Sequence, residues 1–168
     1  TKTMVEMTCM ANATGFIPDI RGGHAPSAQV SELPKLFSLK SEGGILNQYK
    51  IVDYVNGIAP GVFIIVTSKL PQVHHEMQYL SMGEGPNYVL YRPYHLTSLE
   101  TPLTVAKAVI DNESTIIPMD GKPIAETITI AKKDLKAGEK LDGIGGFTVY
   151  GSIEAYETSR KENLVPLG

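Results

Sequence analysis

The 168-residue chain has no tryptophan and one cysteine, Cys9. A single thiol cannot close an internal disulfide, so packing and hydrogen bonding must hold the fold, and this usage suits a reducing compartment such as the cytoplasm. Long apolar runs are also missing. The longest, Val62–Val66, fits a buried strand and falls well short of the roughly twenty residues a membrane helix needs. Neither sign of charge forms a block. The 15 Lys and Arg against 18 Asp and Glu leave a net charge of −3 and no basic cluster, which speaks against nucleic acid as a partner. No Gly-x-Gly-x-x-Gly follows a strand, and there is no phosphate-binding Walker loop, cysteine pair or His-x-x-x-His helix. A complete nucleotide site or a zinc centre is therefore not expected within the chain.

With 42% hydrophobic and 20% charged residues, the chain reads as a globular protein of one or two domains. Thr3-x-x-Glu6 has the pattern of a capping box, and Gly15 is a stop signal, which predicts a helix over residues 3–14 with Cys9 packed in its core face. Pro18, Gly22, Gly23 and Pro26 predict a loop over 16–30 carrying Asp19, Arg21 and His24, long enough to be functional or mobile. Ser31 is the expected cap of a short helix through Phe37. Residues 49–57 and 61–67 are expected as strands joined in an antiparallel hairpin. A helix over 71–81 starts at Pro71, with Val73, Met77 and Leu80 as its apolar stripe. His74 and His75 are expected on its solvated face, about 100 degrees apart and unsuited to one metal ion. A strand at 87–92 and a helix from Thr101 to Asn112 follow, with Pro102 at its first turn and Val105, Val109 and Ile110 inward. Short strands are expected at 115–117, 127–131 and 147–150, separated by glycine turns, and a short helix within 154–163. The pattern gives an α+β fold with a mainly antiparallel sheet, helices on one face, and a small β-rich module after about residue 113.

The stretch 83–102 focuses the functional reading. A turn at Gly83–Pro86 leads into an aromatic strand that breaks at Pro93 and delivers Arg92, Tyr94 and His95 to a polar loop. Such a loop beside a helix start suits an anion-binding or acid–base site, and it equally suits a strand end whose polar tips face water. Lys2 stands at a helix N-terminus, where the dipole disfavours its charge, with Glu6 one turn on; the alternative is an ordinary exposed lysine.

Several segments occur together in one order: Lys2-Thr-Met-Val-Glu6, Ala11-Asn-Ala-Thr-Gly15, Gly43-Gly44, Ile51-Val-Asp-Tyr-Val55, Pro60-Gly-Val-Phe63, Gly83-Glu-Gly-Pro86, Tyr91-Arg-Pro-Tyr-His-Leu96, Glu100-Thr-Pro102, Ala131-Lys-Lys-Asp-Leu-Lys-Ala-Gly-Glu139 and Leu141-Asp-Gly-Ile-Gly-Gly146. The set resembles the C-terminal half of homoserine-dehydrogenase-like oxidoreductases that carry a SAF (antifreeze-like, β-clip) module, one branch of which is similar to deoxyxylulose-5-phosphate reductoisomerase. The resemblance implies a substrate and dimerisation domain over 1–112 and a SAF-like module over 113–168, apparently cut short. It implies an NAD(P)-binding domain outside the chain, a small hydroxy- or keto-substrate, phosphorylated or acidic, and a homo-oligomer. On that view Lys2, Glu6 and His95 are catalytic candidates, and Arg92, Tyr94, Asn12 and Arg21 are substrate contacts. The competing reading is a non-catalytic SAF-type module for carbohydrate or sugar-acid binding, or for oligomerisation.

Overall fold

The computed structural model describes residues 1–94 and 97–167. The fold is α+β, and its chain separates into two compact units. Unit 1 is built from Thr1–Ala25, Lys50–Tyr54 and the chain from Ile110 onward; unit 2 from Pro26–Tyr49 and Val55–Val109. This packing division is interleaved, whereas the expected functional boundary near residue 113 is linear.

Unit 1 begins with α1, Lys2–Thr14, which ends where Gly15 turns left-handed at φ 75° and returns its N–H to the Ala11 carbonyl. Met4, Met7 and Ala11 recur at helical spacing and are buried, so one stripe of α1 faces inward. They join Val52, Ala125 and Ile153 in the core, with Phe16 and Tyr54 packed alongside. Full burial of each large side chain is worth roughly 1.5–3 kcal/mol. The stripe lies on an antiparallel ladder of β5, Ala125–Ala131, and β6, Val149–Ala155, in register from Ala125↔Ala155 to Ala131↔Val149. Two short strands, β1 at Ile17–Pro18 and β2 at Ile51–Val52, pair in parallel.

In unit 2, a 3₁₀ turn at Val30–Glu32 leads into α2, Leu33–Leu36, with Leu33 fully buried. β3, Val62–Thr67, and β4, Asn87–Arg92, pair antiparallel from Val62↔Arg92 to Thr67↔Asn87, connected through α3, Pro71–Tyr79. Then α4, Thr97–Ala106, continues as a π-helical turn, Lys107–Asp111. α5, Tyr156–Lys161, closes unit 1.

Several local expectations are corrected. Thr3 and Glu6 do not form a capping box: α1 starts one residue earlier, Thr1 is its cap residue, and the Thr1 hydroxyl accepts the Gly151 N–H instead. Ser31 does not cap the next segment; the Gln29 N–H is held by the Glu32 carboxylate at 2.7 Å. The expected strand 49–57 shrinks to β2, because the Asp53 side chain folds back onto loop amides and ends the ladder. Its partner is β1 and not β3, so the hairpin with 61–67 does not form. Residues 115–117 form no strand. α4 starts at Thr97, which leaves Pro102 in its interior, where the ring removes one hydrogen bond. Val105, Val109 and Ile110, expected inward, are 56%, 78% and 78% exposed. Leu80 is exposed as well, beyond the last turn of α3. Cys9 is half-buried rather than a core thiol.

Candidate functional site

The loop after α1 owes its shape to one carboxylate. Asp53, at the end of β2, accepts the backbone N–H groups of His24, Ala25 and Tyr54 at 2.8–3.2 Å. It also accepts from Nδ1 of the His24 ring, 2.7 Å from Oδ2. Four N–H groups converging on two oxygens is the pattern that an acceptor-only carboxylate satisfies. Gly23 makes the approach possible: at φ +72° it adopts a conformation that side chains resist, and a Cβ there would lie 2.9 Å from Asp53 Oδ1. On the far side of the ring, Nε2 stands 3.4 Å from Oδ2 of Asp19. The Asp19 and Asp53 side chains are 0% and 2% exposed, and the imidazole between them keeps 14%. Both ring nitrogens thus face buried carboxylates, which fixes the imidazole within the loop.

Arg21 belongs to the same loop and is held at 2.5 Å by each of Glu154, through Nε, and Glu162, through Nη2. Its charge is thus answered by two carboxylates, an arrangement that ties the loop to β6 and to the residue after α5. Beside it, Arg21, Gly22, Tyr54, Met4, Tyr150 and Ser152 contribute to the wall of a cavity of about 510 Å³ at the first turn of α1. Burial and the neighbouring Asp53 charge raise the Tyr54 hydroxyl above its ordinary pKa, so it stays a protonated donor at neutral pH.

The other candidates of unit 1 fall into two kinds. Lys2 and Glu6 lie on the side of α1 opposite its buried stripe, both exposed. Among the described residues no hydrogen bond or ion pair orients either of them. Asn12 is used structurally: its carbonyl oxygen accepts the Ile124 and Ala125 N–H groups and its amide donates to the Ala125 carbonyl, at 2.6–3.0 Å.

In unit 2, Arg92 donates from Nη1 to Glu100 at 2.9 Å and from Nε to the Tyr94 carbonyl at 3.1 Å, and its guanidinium lies 5.5 Å from the Tyr94 ring centre. The pair forms a surface clasp with both side chains exposed. His95 lies outside the described residues. A second cavity, about 570 Å³, opens between α2 and the turn 81–87, with Lys35, Ser38, Glu42, Glu84 and Asn87 in its wall. His74, expected in solvent, is half-buried: Nε2 lies 2.7 Å from the Ser68 carbonyl and Nδ1 3.0 Å from the Tyr88 hydroxyl, while His75 is exposed.

The sequence reading named Asp19 and His24 as loop residues without a role and passed over Asp53. The signal was present as an acid inside the apolar run Ile51-Val-Asp-Tyr-Val55, where a strand gains nothing from a charge. Comparison with known families places the loop in context. No curated protein matches the chain. The family described as oxidoreductase DRL, catalytic domain, matches residues 1–101, a span that includes α1, the His24 loop and Asp53. Because that span is more than half of the 168 residues, the chain belongs to the DRL oxidoreductase catalytic-domain family.

Proposed function

We propose that the chain is the substrate-binding and catalytic region of an NAD(P)-dependent oxidoreductase acting on a small hydroxy- or keto-compound, phosphorylated or acidic. The observation that carries this reading is the catalytic-domain match over residues 1–101. A dinucleotide cradle needs a strand, a glycine-rich turn and a helix within a parallel βαβ unit. Among the described residues, parallel pairing is limited to the two residue pairs of β1 and β2 and the isolated bridges Ser27↔Asn56 and Leu39↔Leu46, so these residues do not fit such a cradle. In this reading the nicotinamide cofactor is held by another part of the protein. Lys2 and Glu6 remain candidates for proton handling and Arg92 with Tyr94 for holding an anionic group, His95 joining them by sequence alone. Asn12 and Arg21 act from behind, by fixing β5 and the loop.

Residues 113–168 act in this reading as a SAF-like β-rich module, supported by the β5–β6 ladder and the glycine turns. A homo-oligomer is supported by the exposed Leu99, Leu103, Val105 and Val109 on one helical segment. No helix among the described residues is long and apolar enough to cross a membrane, and a cytoplasmic location is part of the proposal.

The test is oxidation of NADH or NADPH by the intact protein with a panel of 2-keto acids, hydroxyketones and their phosphates. Turnover with one class is expected. Absence of nucleotide oxidation with every member overturns the reading. Thermal melting of the present chain alone is expected to be unmoved by either nucleotide.

A further inference from the structure

We infer that unit 1 carries a binding site for a small neutral polyol in the cavity of about 510 Å³ at the first turn of α1, with the Ser152 and Tyr54 hydroxyls as its central contacts. The residues of its wall all belong to that unit. The volume falls within the roughly 300–1,000 Å³ of small-molecule sites. The first support is an unanswered group. Ser152 is 5% exposed, and among the described residues its hydroxyl has no hydrogen-bond partner. The hydroxyl is directed at the wall: a Cβ on Gly22, itself a wall residue, would lie 3.1 Å from Oγ. A buried hydroxyl without a protein partner takes one from whatever fills the space. The second support is the kind of group around it. Thr3, Tyr54 and Tyr150 add further hydroxyls to the wall, none paired among the described residues. A hydroxyl both donates and accepts, so a wall of them matches a ligand built the same way.

The third support is charge. Among the described residues Arg21 is the only charged side chain in the wall, and Glu154 and Glu162 each hold it at 2.5 Å. One positive charge against two negative ones offers an anion no net attraction, so a phosphate or carboxylate is disfavoured and an uncharged ligand is not. Met4 and Ile130 supply the apolar part of the wall, which suits the C–H face of a polyol. A wholly apolar ligand would leave the Ser152 hydroxyl without a partner. The site differs in chemistry from the Arg92 clasp of unit 2, offered above for an anionic group, and it needs no nucleotide.

The experiment titrates the intact protein with xylitol and with sorbitol, then with inorganic phosphate and gluconate as competitors, and reads binding by saturation-transfer NMR of the polyol. Melting curves do not serve, because polyols raise them by exclusion from any protein surface. Saturable binding of at least one polyol is expected, weakened about tenfold by Ser152→Ala, which removes one hydrogen bond. Tyr54→Phe is expected to act in the same direction, and neither anion to compete. Absence of saturable polyol binding overturns the inference. So does binding that a folded Ser152→Ala protein leaves unchanged, which places the polyol elsewhere. Displacement by phosphate or gluconate overturns it too, because the site then prefers an anion. If Ser152→Ala fails to fold, Tyr54→Phe takes its place with the same two outcomes. Nucleotide oxidation is a separate readout, so the oxidoreductase reading stands or falls by its own test.

Discussion

The Tyr88 hydroxyl and the His74 imidazole complete each other. The Ser68 carbonyl can only accept, so His74 gives it the Nε2 proton, and Nδ1 is left to accept from the Tyr88 hydroxyl 3.0 Å away. Tyr88 is 1% exposed, so its hydroxyl depends on that one neighbour. His74→Ala should cost about 1–3 kcal/mol, the penalty of a buried unsatisfied hydroxyl, and Tyr88→Phe about 1 kcal/mol. Denaturant midpoints of the two variants check the order. A His74→Ala protein as stable as wild type would contradict the assigned roles.

Asn12 gives a second measurable link. Its amide meets three backbone groups of residues 124–125, which fastens the middle of α1 to the start of β5. Asn12→Leu keeps the bulk and deletes all three bonds. A loss of about 2–3 kcal/mol is expected from unpaired backbone groups, and native-state hydrogen exchange should speed up at the Ile124 and Ala125 amides first.

Gly23→Ala tests the loop anchor. A Cβ 2.9 Å from Asp53 Oδ1, on a residue at φ +72°, forces either the carboxylate or the loop to move. The left-handed conformation alone costs about 1–2 kcal/mol for a residue with a Cβ. Imidazole nitrogen shifts measured by NMR should show His24 Nδ1 losing its carboxylate partner. Unchanged shifts would show that the close approach is not needed.

Asp142 supplies a pH signature. It accepts from the Thr148 hydroxyl and from the Phe147 and Thr148 amides, which together hold its pKa down to about 2 from an ordinary 3.8. The folded value lies below the unfolded one, so the stabilisation is complete above the unfolded value and disappears as pH falls through the folded one. The melting-temperature gap between wild type and Asp142→Asn should be constant above about pH 4 and close toward pH 2. A gap that widens on acidification would reverse the sign argued here.

Sequence patterns with a local cause were readable. Gly15 ends α1, the Pro71 start gives α3, and the aromatic alternation of 87–92 gives β4, because each signal acts within one turn or one strand. Pairing was less legible. Ile51–Val52 and Val62–Thr67 both favour strands, yet nothing local says that the first will take Ile17–Pro18 and the second Asn87–Arg92 as partners. The candidate site shows the same limit. His24 and Asp53 are 29 residues apart, and only the folded loop makes them neighbours. The inward face assigned to Val105 and Val109 failed because helical spacing marks an apolar side without saying whether this chain covers it.

The interleaving of unit 1 has a consequence for biosynthesis. Met4, Met7 and Ala11 emerge from the ribosome early, while Ala125 and Ile153, which share their core, are made more than a hundred residues later. Unit 2 is complete once Val109 has been synthesised, so it can fold while α1 still waits for its sheet. During that interval the apolar stripe of α1 is uncovered, and a chain stopped near residue 112 would never cover it. Such a truncated product should be a client for chaperones rather than a smaller working domain.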